Sequence, residues 1–278
     1  PVKCFDDAKV LIESALEKSV KSQMISDVPL GAFLSGGIDS SLITALMQKN
    51  SMDKIQTFTA KFESSSLDES KIAKNVADYL GSSNINVTVS DREAMTVIKN
   101  LSKIYDEPFA DSSQIPTTLI SSIAKKNVTV ALSGDAGDEV FGGYNRYKWG
   151  PYIWNKIVNY SPITRKVLSK SLNILNSSQI HFLEDIANSV MPKSFKISLI
   201  NEKIKKIQLI SNHAESPDDL YKLLTENQIN QNLYISNNIN DSYCDLRLDN
   251  QKVDLDTTHQ MMMNDTLTYL PDDILCKV

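Results

Sequence analysis

The stretch that decides the fold of this chain is Leu34-Ser35-Gly36-Gly37-Ile38-Asp39-Ser40-Ser41. It follows an apolar run at residues 28–34, which predicts a buried strand. It also opens a segment, residues 38–49, in which apolar side chains return every three to four positions, and this spacing predicts a helix. The stretch therefore lies where a strand turns into a helix.

A strand-to-helix turn of this composition predicts an anion-binding site. The first turn of a helix has backbone N–H groups without partners, and the helix dipole adds partial positive charge there. Gly36 and Gly37 let the backbone turn sharply and approach a phosphate closely. The side chains of Ser35, Ser40 and Ser41 add hydroxyl donors.

Asp39 is the unusual member of this stretch, because a bare carboxylate would repel a phosphate. Its presence fits a bound Mg²⁺, which bridges carboxylate and phosphate oxygens. The plainer alternative is a glycine turn that caps a helix, with the serines as cap residues. The common P-loop does not fit, because no Gly-Lys-Ser/Thr follows.

A second loop of the same kind follows the apolar run at residues 128–132, which predicts another buried strand. This loop, residues 133–144, begins Ser133-Gly134 and contains three acids. In an open parallel sheet, ligands bind at the carboxyl ends of strands, so the two loops are expected to form one site. Several carboxylates in one turn would repel each other, so the cluster implies a cation or a basic partner. We predict that Asp39 and Asp138 share a magnesium ion.

Strands and helices alternate through the first 150 residues. Strands are predicted at 28–34, 55–60, 84–89 and 128–132, and helices at 6–25, 38–49, 70–81, 91–105 and about 115–126. Gly81 is predicted to cap the third of these helices. This alternation predicts an α/β fold with a parallel, doubly wound sheet. The acidic loop at 105–113, which contains a proline, is by itself typical of a solvated turn.

The remainder of the chain has helical stretches and no convincing strand alternation. We therefore predict two parts, an α/β core at residues 1–150 and a mainly helical part at 151–278. Ser216, followed by proline and two aspartates, is typical of a helix start. Three further segments are a lysine-bearing helical period at 163–175, another at 197–210, and an Asn-rich run at 227–240 from which no function is drawn.

The composition excludes several classes of protein. The chain has 278 residues, of which 41% are hydrophobic, so it is globular, and its net charge of −5 argues against nucleic-acid binding. The three cysteines have no metal-ligand spacing, which suits a reducing cytoplasm, and no run of about 18 apolar residues predicts a membrane span. The chain begins at Pro1 and ends at Val278, so we expect a piece of a longer protein.

These motifs together resemble a known family. The segments that carry the resemblance are residues 27–41, Asp106-Glu107-Pro108, residues 133–144 and residues 270–277. They resemble the synthetase domain of glutamine-hydrolysing asparagine synthetases, a member of the PP-loop ATP pyrophosphatase superfamily. Order and spacing agree over roughly residues 5–150. The resemblance implies the PP-loop, adenine nucleotide alpha hydrolase-like type of sheet.

The resemblance also implies an activity. Enzymes of this family adenylate the side-chain carboxylate of aspartate with ATP and Mg²⁺ and release pyrophosphate. Ammonia, made from glutamine by an N-terminal glutaminase domain, then displaces AMP to give asparagine. The implied partners are these small molecules and the glutaminase domain of the full-length chain, and a homodimer is among the assemblies that the resemblance allows.

The resemblance implies a role for each matched residue. The ATP- and pyrophosphate-binding set would be Leu34, Ser35, Gly36, Gly37, Asp39, Ser40, Ser41, Ala60, Ser133 and Gly134. Within that set, Ala60 would contact adenine through its backbone, and Ser133 and Gly134 would contact the AMP part. Asp39 and Asp138 would hold Mg²⁺. The catalytic residues would be Asp135, which stands where the family has an acid that acts in amide formation, and Asp138.

Two departures from the family set an expectation about activity. No glutaminase sequence surrounds Cys4, so this cysteine does not match that domain's nucleophile, and a lysine that the family uses in adenylation lies beyond the segment. We therefore expect this polypeptide alone to bind nucleotide and turn over poorly. Two alternatives are a related amidotransferase or lactam-forming synthetase that acts on another carboxylate, such as a sugar acid, and a nucleotide-binding module without chemistry. The retained acids Asp39, Asp135 and Asp138 argue against the last.

Overall fold

The computed structural model describes residues 4–63, 68–108, 111–158, 160, 164–165, 209–225 and 255–277. The chain forms two compact units, Pro1–Val140 together with Thr268–Val278, and Phe141–Leu267. The first unit thus runs to Val140 before the chain enters the second, and the predicted parts at residues 1–150 and 151–278 stay a prediction. The chain also returns to the first unit at Thr268, so that the motif at residues 270–277 belongs to the unit that contains both glycine-rich loops.

The first unit is built on a four-stranded parallel sheet. Its strands are β1 (Leu30–Phe33), β2 (Gln56–Phe62), β3 (Ser83–Val89) and β4 (Val130–Leu132). Their order across the sheet is β3-β2-β1-β4. Ala32 of β1 is paired with Thr57 on one side and with Leu132 on the other, so β1 is central. The predicted parallel sheet is confirmed.

The helices of the described residues up to Val158 precede, connect or follow the strands. They are α1 (Phe5–Gln23), α2 (Ile38–Lys49), α3 (Ser70–Leu80), α4 (Asp91–Ile98), α5 (Leu101–Ile104), α6 (Gln114–Ala124), α7 (Gly137–Phe141) and α8 (Asn145–Val158). Gly81 caps α3 in the left-handed conformation, at φ 75°, as its position after the helical pattern predicts.

The prediction of a single helix over residues 91–105 is wrong. The structure has two helices, α4 and α5, with Lys99 and Asn100 between them. The Asn100 N–H bonds to the carbonyl of Val97 at 2.8 Å, which tightens the turn, while its side-chain amide bonds to the carbonyl of Thr96 at 2.9 Å. An asparagine side chain that competes for helix carbonyls in this way ends α4, although the apolar period continues.

Both faces of the sheet are covered by helices, as a doubly wound fold requires. On one face, Ala32 of β1 packs with Leu46 and Met47 of α2 and with Val20 of α1. On the other face, Phe58 of β2 packs with Ala124 of α6 and with Val128. Because side chains alternate along a strand, the central strands contribute to both cores. The predicted α/β doubly wound class is therefore confirmed.

The described part of the second unit is helical. In addition to α8 it contains α9 (Pro217–Thr225) and α10 (Thr257–Leu267), which pack around Tyr147, Ile210, Ala214, Leu220, Leu223 and Met261. The predicted helix start at Ser216 is confirmed. The Asp219 N–H donates to the Ser216 hydroxyl at 3.1 Å, and the Ser216 N–H donates to the Asp219 carboxylate at 2.9 Å. This reciprocal pair is a capping box.

Three sequence interpretations fall mainly outside the described residues. They are the helical periods at 163–175 and 197–210 and the Asn-rich run at 227–240. Within the described residues, no helix has the length and apolar character needed to cross a membrane.

Candidate functional site

The strand order brings the two glycine-rich loops to one edge of the sheet. From β1 the chain moves to β2 and then β3 on one side, and later crosses back to β4 on the other side of β1. The carboxyl ends of β1 and β4 are therefore the point at which the winding reverses. In open α/β sheets, ligands bind in the crevice at this point.

The first loop is shaped by one glycine and two serines. Gly36 has φ 85°, and a Cβ at this position would lie 2.8 Å from the backbone nitrogen of Ala73 in α3. The Ser35 and Ser40 hydroxyls lie 2.9 Å apart, and the Gly37 N–H donates to the Ser35 hydroxyl at 3.2 Å. The two hydroxyls thus sit together at the N-terminus of α2, where the helix dipole favours an anion.

The second loop, residues 133–136, has an unusual backbone and leads into α7. Ala136 has φ 71°, a left-handed conformation that costs a residue with a Cβ about 1–2 kcal/mol. The Val140 N–H bonds to the Ala136 carbonyl at 3.2 Å, so the strained residue opens the first turn of α7. Strain of this kind is common where a site fixes a loop in one geometry.

The two loops touch each other through their glycines. A Cβ added to Gly134 would lie 2.7 Å from the backbone nitrogen of Ser40. A Cβ added to Gly137 would lie 2.6 Å from the Asp39 carboxylate oxygen. Both distances are too short for a side chain, so glycine is what allows the β4 loop to lie against the start of α2. Asp39 is held at this contact, beside the first turn of α7.

A cavity of about 310 Å³ opens at the two loops. The predicted site residues that line it are Leu34, Ser35, Gly37, Asp39, Ser40, Ala60, Ser133, Gly134 and Asp135. They come from the ends of β1, β2 and β4 and from the first turn of α2. The structure thus brings together residues up to about 100 positions apart in the sequence.

Three predicted residues do not line this cavity. Gly36 faces α3, the Ser41 hydroxyl is buried without a hydrogen-bond partner within the described residues, and Asp138 lies in the first turn of α7. Gly36 therefore shapes the loop. Asp138 follows Gly137, whose backbone lies against the Asp39 side chain.

Sequence reasoning missed several residues of the cavity wall. They are Phe33, Phe58, Phe62, Glu69, Thr117, Ile120 and Lys277. Two patterns could have found some of them. Phe58, Ala60 and Phe62 alternate along one face of β2, and Thr117 and Ile120 are three positions apart on α6. The position of Lys277 has no local pattern, because the chain reaches the site only after the second unit.

Lys277 is anchored by the loop that precedes α6. Its ammonium donates hydrogen bonds to the Asp111 carboxylate and, at 2.7 Å, to the Ser113 hydroxyl. Burial raises the pKa of Asp111, but the hydrogen bonds from Lys277 and Ser113 outweigh it, so this pKa lies below its ordinary value. Burial and the Asp111 charge raise the pKa of the nearby Asp273 carboxyl. The composition of residues 105–113 predicts a solvated turn, but the side chain of Asp111 is only 14% exposed.

The donor set fits a magnesium ion that is shared with a substrate. Among the described residues, no group of three or more His, Cys, Asp or Glu side chains could hold a metal. Within the described residues, protein side chains alone therefore do not form a complete metal site. Mg²⁺ usually binds through one or two carboxylates together with substrate phosphates, and Asp39 on the cavity wall is a carboxylate of this kind.

The asparagine synthase sequence profile matches residues 11–277. This chain belongs to the asparagine synthase family. The match extends well beyond the motifs of the first half of the chain and includes the segment that carries Lys277. The family assignment expected from the sequence motifs is confirmed.

Three relatives illustrate the similarity. A Methanocaldococcus jannaschii protein, named provisionally as glutamine-hydrolysing asparagine synthetase 2, is 38% identical over 79% of this chain and 42% of its own length. Glutamine-hydrolysing asparagine synthetase 1 of Bacillus subtilis is 42% identical over 53% of this chain and 23% of its own length. Asparagine synthetase B of Escherichia coli is 32% identical over 50% of this chain and 28% of its own length. The matches thus span less than half the length of these curated relatives.

Among solved structures, the NH3-dependent NAD synthetase of Campylobacter jejuni aligns with a TM-score of 0.34 and 15% identity. The alignment covers 69% of this chain and 99% of that one.

Proposed function

We propose that this chain is the ATP-binding synthetase part of an asparagine synthetase. One observation carries the proposal. The Ser-Gly-Gly-x-Asp-Ser loop after β1 and the Ser-Gly-Asp loop after β4 touch each other and open onto one cavity at the reversal point of a parallel sheet. Serine hydroxyls, free helix N–H groups and carboxylates meet there, as a reaction between a nucleotide and an acid requires.

The proposed reaction has two steps. A carboxylate oxygen of aspartate attacks the α-phosphorus of ATP, the bond from that phosphorus to the bridging oxygen breaks, and pyrophosphate leaves. Ammonia then attacks the carbonyl carbon of the acyl-adenylate, AMP leaves with the former carboxylate oxygen, and the nitrogen loses a proton to give the amide. Both steps need fixed donors where charge develops on the leaving group.

The first loop supplies donors for pyrophosphate. The Ser35 and Ser40 hydroxyls and the N–H groups of the first turn of α2 converge on the cavity, and Gly37 leaves room for a phosphate. Because the helix holds them, these donors need no reorganisation as charge moves to the departing pyrophosphate. Gly36 keeps the loop in its turn, and Ser41 lies one position further along α2.

The AMP part is assigned to the strand ends. Leu34 directly follows β1, and Ala60 lies in the neighbouring strand β2. Ser133 and Gly134 follow β4, which lies on the other side of β1. Asp39 and Asp138 would hold Mg²⁺, which when bound neutralises charge on the phosphate oxygens.

Asp135 is assigned to amide formation. It lies on the cavity wall and is exposed, so that its carboxylate can reach solvent and a bound intermediate. An ionised carboxylate there can accept a proton from the attacking ammonia. The source of that ammonia in the whole protein is proposed to be a glutaminase domain, and the protein is proposed to act in the cytoplasm on small molecules.

Exchange of labelled pyrophosphate into ATP tests this function, because exchange reports adenylation alone. In the full-length protein, which would supply the lysine that the family uses in adenylation, we expect exchange that requires aspartate and Mg²⁺. Asp135→Asn should keep exchange within severalfold but lower ammonia-dependent asparagine formation by about 100-fold or more, the usual loss for a general base. Asp53→Asn, a change of an exposed acid before β2, is the matched control and should alter neither rate. Exchange that occurs without any acceptor acid, or an Asp135→Asn variant that makes asparagine at the normal rate, would contradict the proposal.

A further inference from the structure

The described part of the cavity wall contains a single cation. The charged residues that line it are Asp39, Glu69, Asp135 and Lys277, so three of the four are acids. The nucleotide that the proposed function requires adds several more negative charges. An acceptor that also carries a carboxylate would therefore be repelled unless a positive group receives it.

Lys277 is built into the wall and is not a mobile surface side chain. It lies at the end of the turn Leu275–Lys277, which follows the π-helix Leu270–Ile274, and Leu270 and Ile274 are both buried. The side chain of Lys277 is only 8% exposed. A polar group that is this buried needs hydrogen-bond partners within the protein or its ligand.

Two of the three donors of the ammonium are used by the protein. One binds the Asp111 carboxylate and one binds the Ser113 hydroxyl. Ser113 in turn donates to Asp111 through its N–H at 2.8 Å and its hydroxyl at 2.7 Å, which fixes both partners. An ammonium has three donors, so one remains that has no partner within the described residues.

We propose that Lys277 binds the acceptor carboxylate through this third donor, and that Asp111 and Ser113 position the ammonium. The inference deepens the proposed function, since it names the residue that recognises the acid. The pyrophosphate end of the site has its own donors at Ser35 and Ser40, on the α2 side of the cavity. Lys277 is held by the loop before α6 instead, so the pyrophosphate group and the acceptor carboxylate bind to different elements.

Equilibrium binding tests the inference without requiring turnover. The protein is loaded with Mg²⁺ and α,β-methylene ATP, which cannot be split between the α and β phosphates, and is titrated with aspartate and separately with glucuronate in a calorimeter. Lys277→Met should weaken binding of the acid by about 10- to 100-fold, as expected for one lost charge-assisted hydrogen bond. It should leave the affinity for the nucleotide analogue within about twofold.

Two further variants separate recognition from folding. Lys277→Arg keeps the charge and should recover a large part of the affinity for the acid. Lys125→Met, at an exposed lysine after α6, is the matched control and should bind like the wild type. Circular dichroism confirms that each variant is folded.

The outcomes distinguish this inference from the proposed function. Acid binding that is unchanged in folded Lys277→Met, or nucleotide affinity that falls as much as acid affinity, overturns the role of Lys277. The role of Lys277 is also overturned if the folded wild type binds neither aspartate nor glucuronate. If the wild type binds acid in a Lys277-dependent way but the full-length protein catalyses no pyrophosphate exchange, the inference is supported and the proposed function is contradicted.

Discussion

Gly134→Ala is expected to lower nucleotide affinity by at least about 100-fold, or about 2.7 kcal/mol of binding free energy. The added methyl group would lie 2.7 Å from the backbone nitrogen of Ser40 and 2.9 Å from the backbone carbonyl carbon of Asp39. Backbone atoms in the first turn of α2 cannot rotate away as a side chain would. The β4 loop must therefore move, and the two loops no longer share one cavity. Calorimetric titration with ATP and Mg²⁺ measures the loss.

Gly81→Ala is the control for this prediction. Gly81 has φ 75°, so alanine there is strained by about 1 kcal/mol, but nothing lies within 4 Å of the added Cβ. Urea denaturation should show a lower free energy of unfolding for both variants, since overpacking at Gly134 also costs about 1–3 kcal/mol. Only Gly134→Ala should lose nucleotide affinity. Wild-type affinity in folded Gly134→Ala would show that the contact of the loops is not needed.

Asp265→Ala should destabilise the second unit by about 3–5 kcal/mol, the usual cost of removing one partner of a buried ion pair. Asp265 is fully buried and accepts hydrogen bonds from the Arg146 guanidinium at 2.8 Å, the Tyr221 hydroxyl at 2.8 Å and the Tyr147 hydroxyl. Burial lowers the pKa of Arg146, and the contacts with Asp265 outweigh it, so the net direction is a raised pKa. The carboxylate thus links α8, α9 and α10.

The size of this effect is checked against two milder changes. Tyr221→Phe removes one hydroxyl and should cost about 1 kcal/mol. Asp256→Asn removes an acid that is 64% exposed and pairs with His259, so it should leave the free energy of unfolding nearly unchanged. Urea denaturation followed by tryptophan fluorescence compares the three, because both tryptophans lie in α8. An Asp265→Ala variant as stable as Asp256→Asn would contradict the account of the second unit.

Much of the fold of the first unit could be predicted from local patterns. Apolar runs gave β1 and β4, and Gly81 marked the end of α3, because these features depend on neighbours in the sequence. A parallel sheet predicts that the loops after β1 and β4 lie at the same edge, and the pairing of these two strands brings the loops into contact. The break between α4 and α5 was missed, because the apolar period continues while Asn100 takes helix carbonyls with its side chain.

The cavity wall was predicted only where a motif marks it. Ala60 and the serine-glycine loops carry recognisable residues. Lys277 and Asp111, by contrast, form a pair although they are 166 positions apart in the sequence. Nothing in the sequence near either residue indicates the other. Asp111 was assigned to a solvated turn because acids in a loop are usually exposed, and only the return of the chain at Thr268 buries it.

The most direct test of the account is a calorimetric titration of this chain with ATP, in Mg²⁺ and in EDTA, repeated with Asp39→Ala. The account predicts saturable binding that requires Mg²⁺ and weakens by about tenfold or more in the variant, because Asp39 stands between the two loops and faces the cavity. Binding that is equal with and without Mg²⁺ and unchanged in Asp39→Ala, or no binding by the folded wild type, would contradict it.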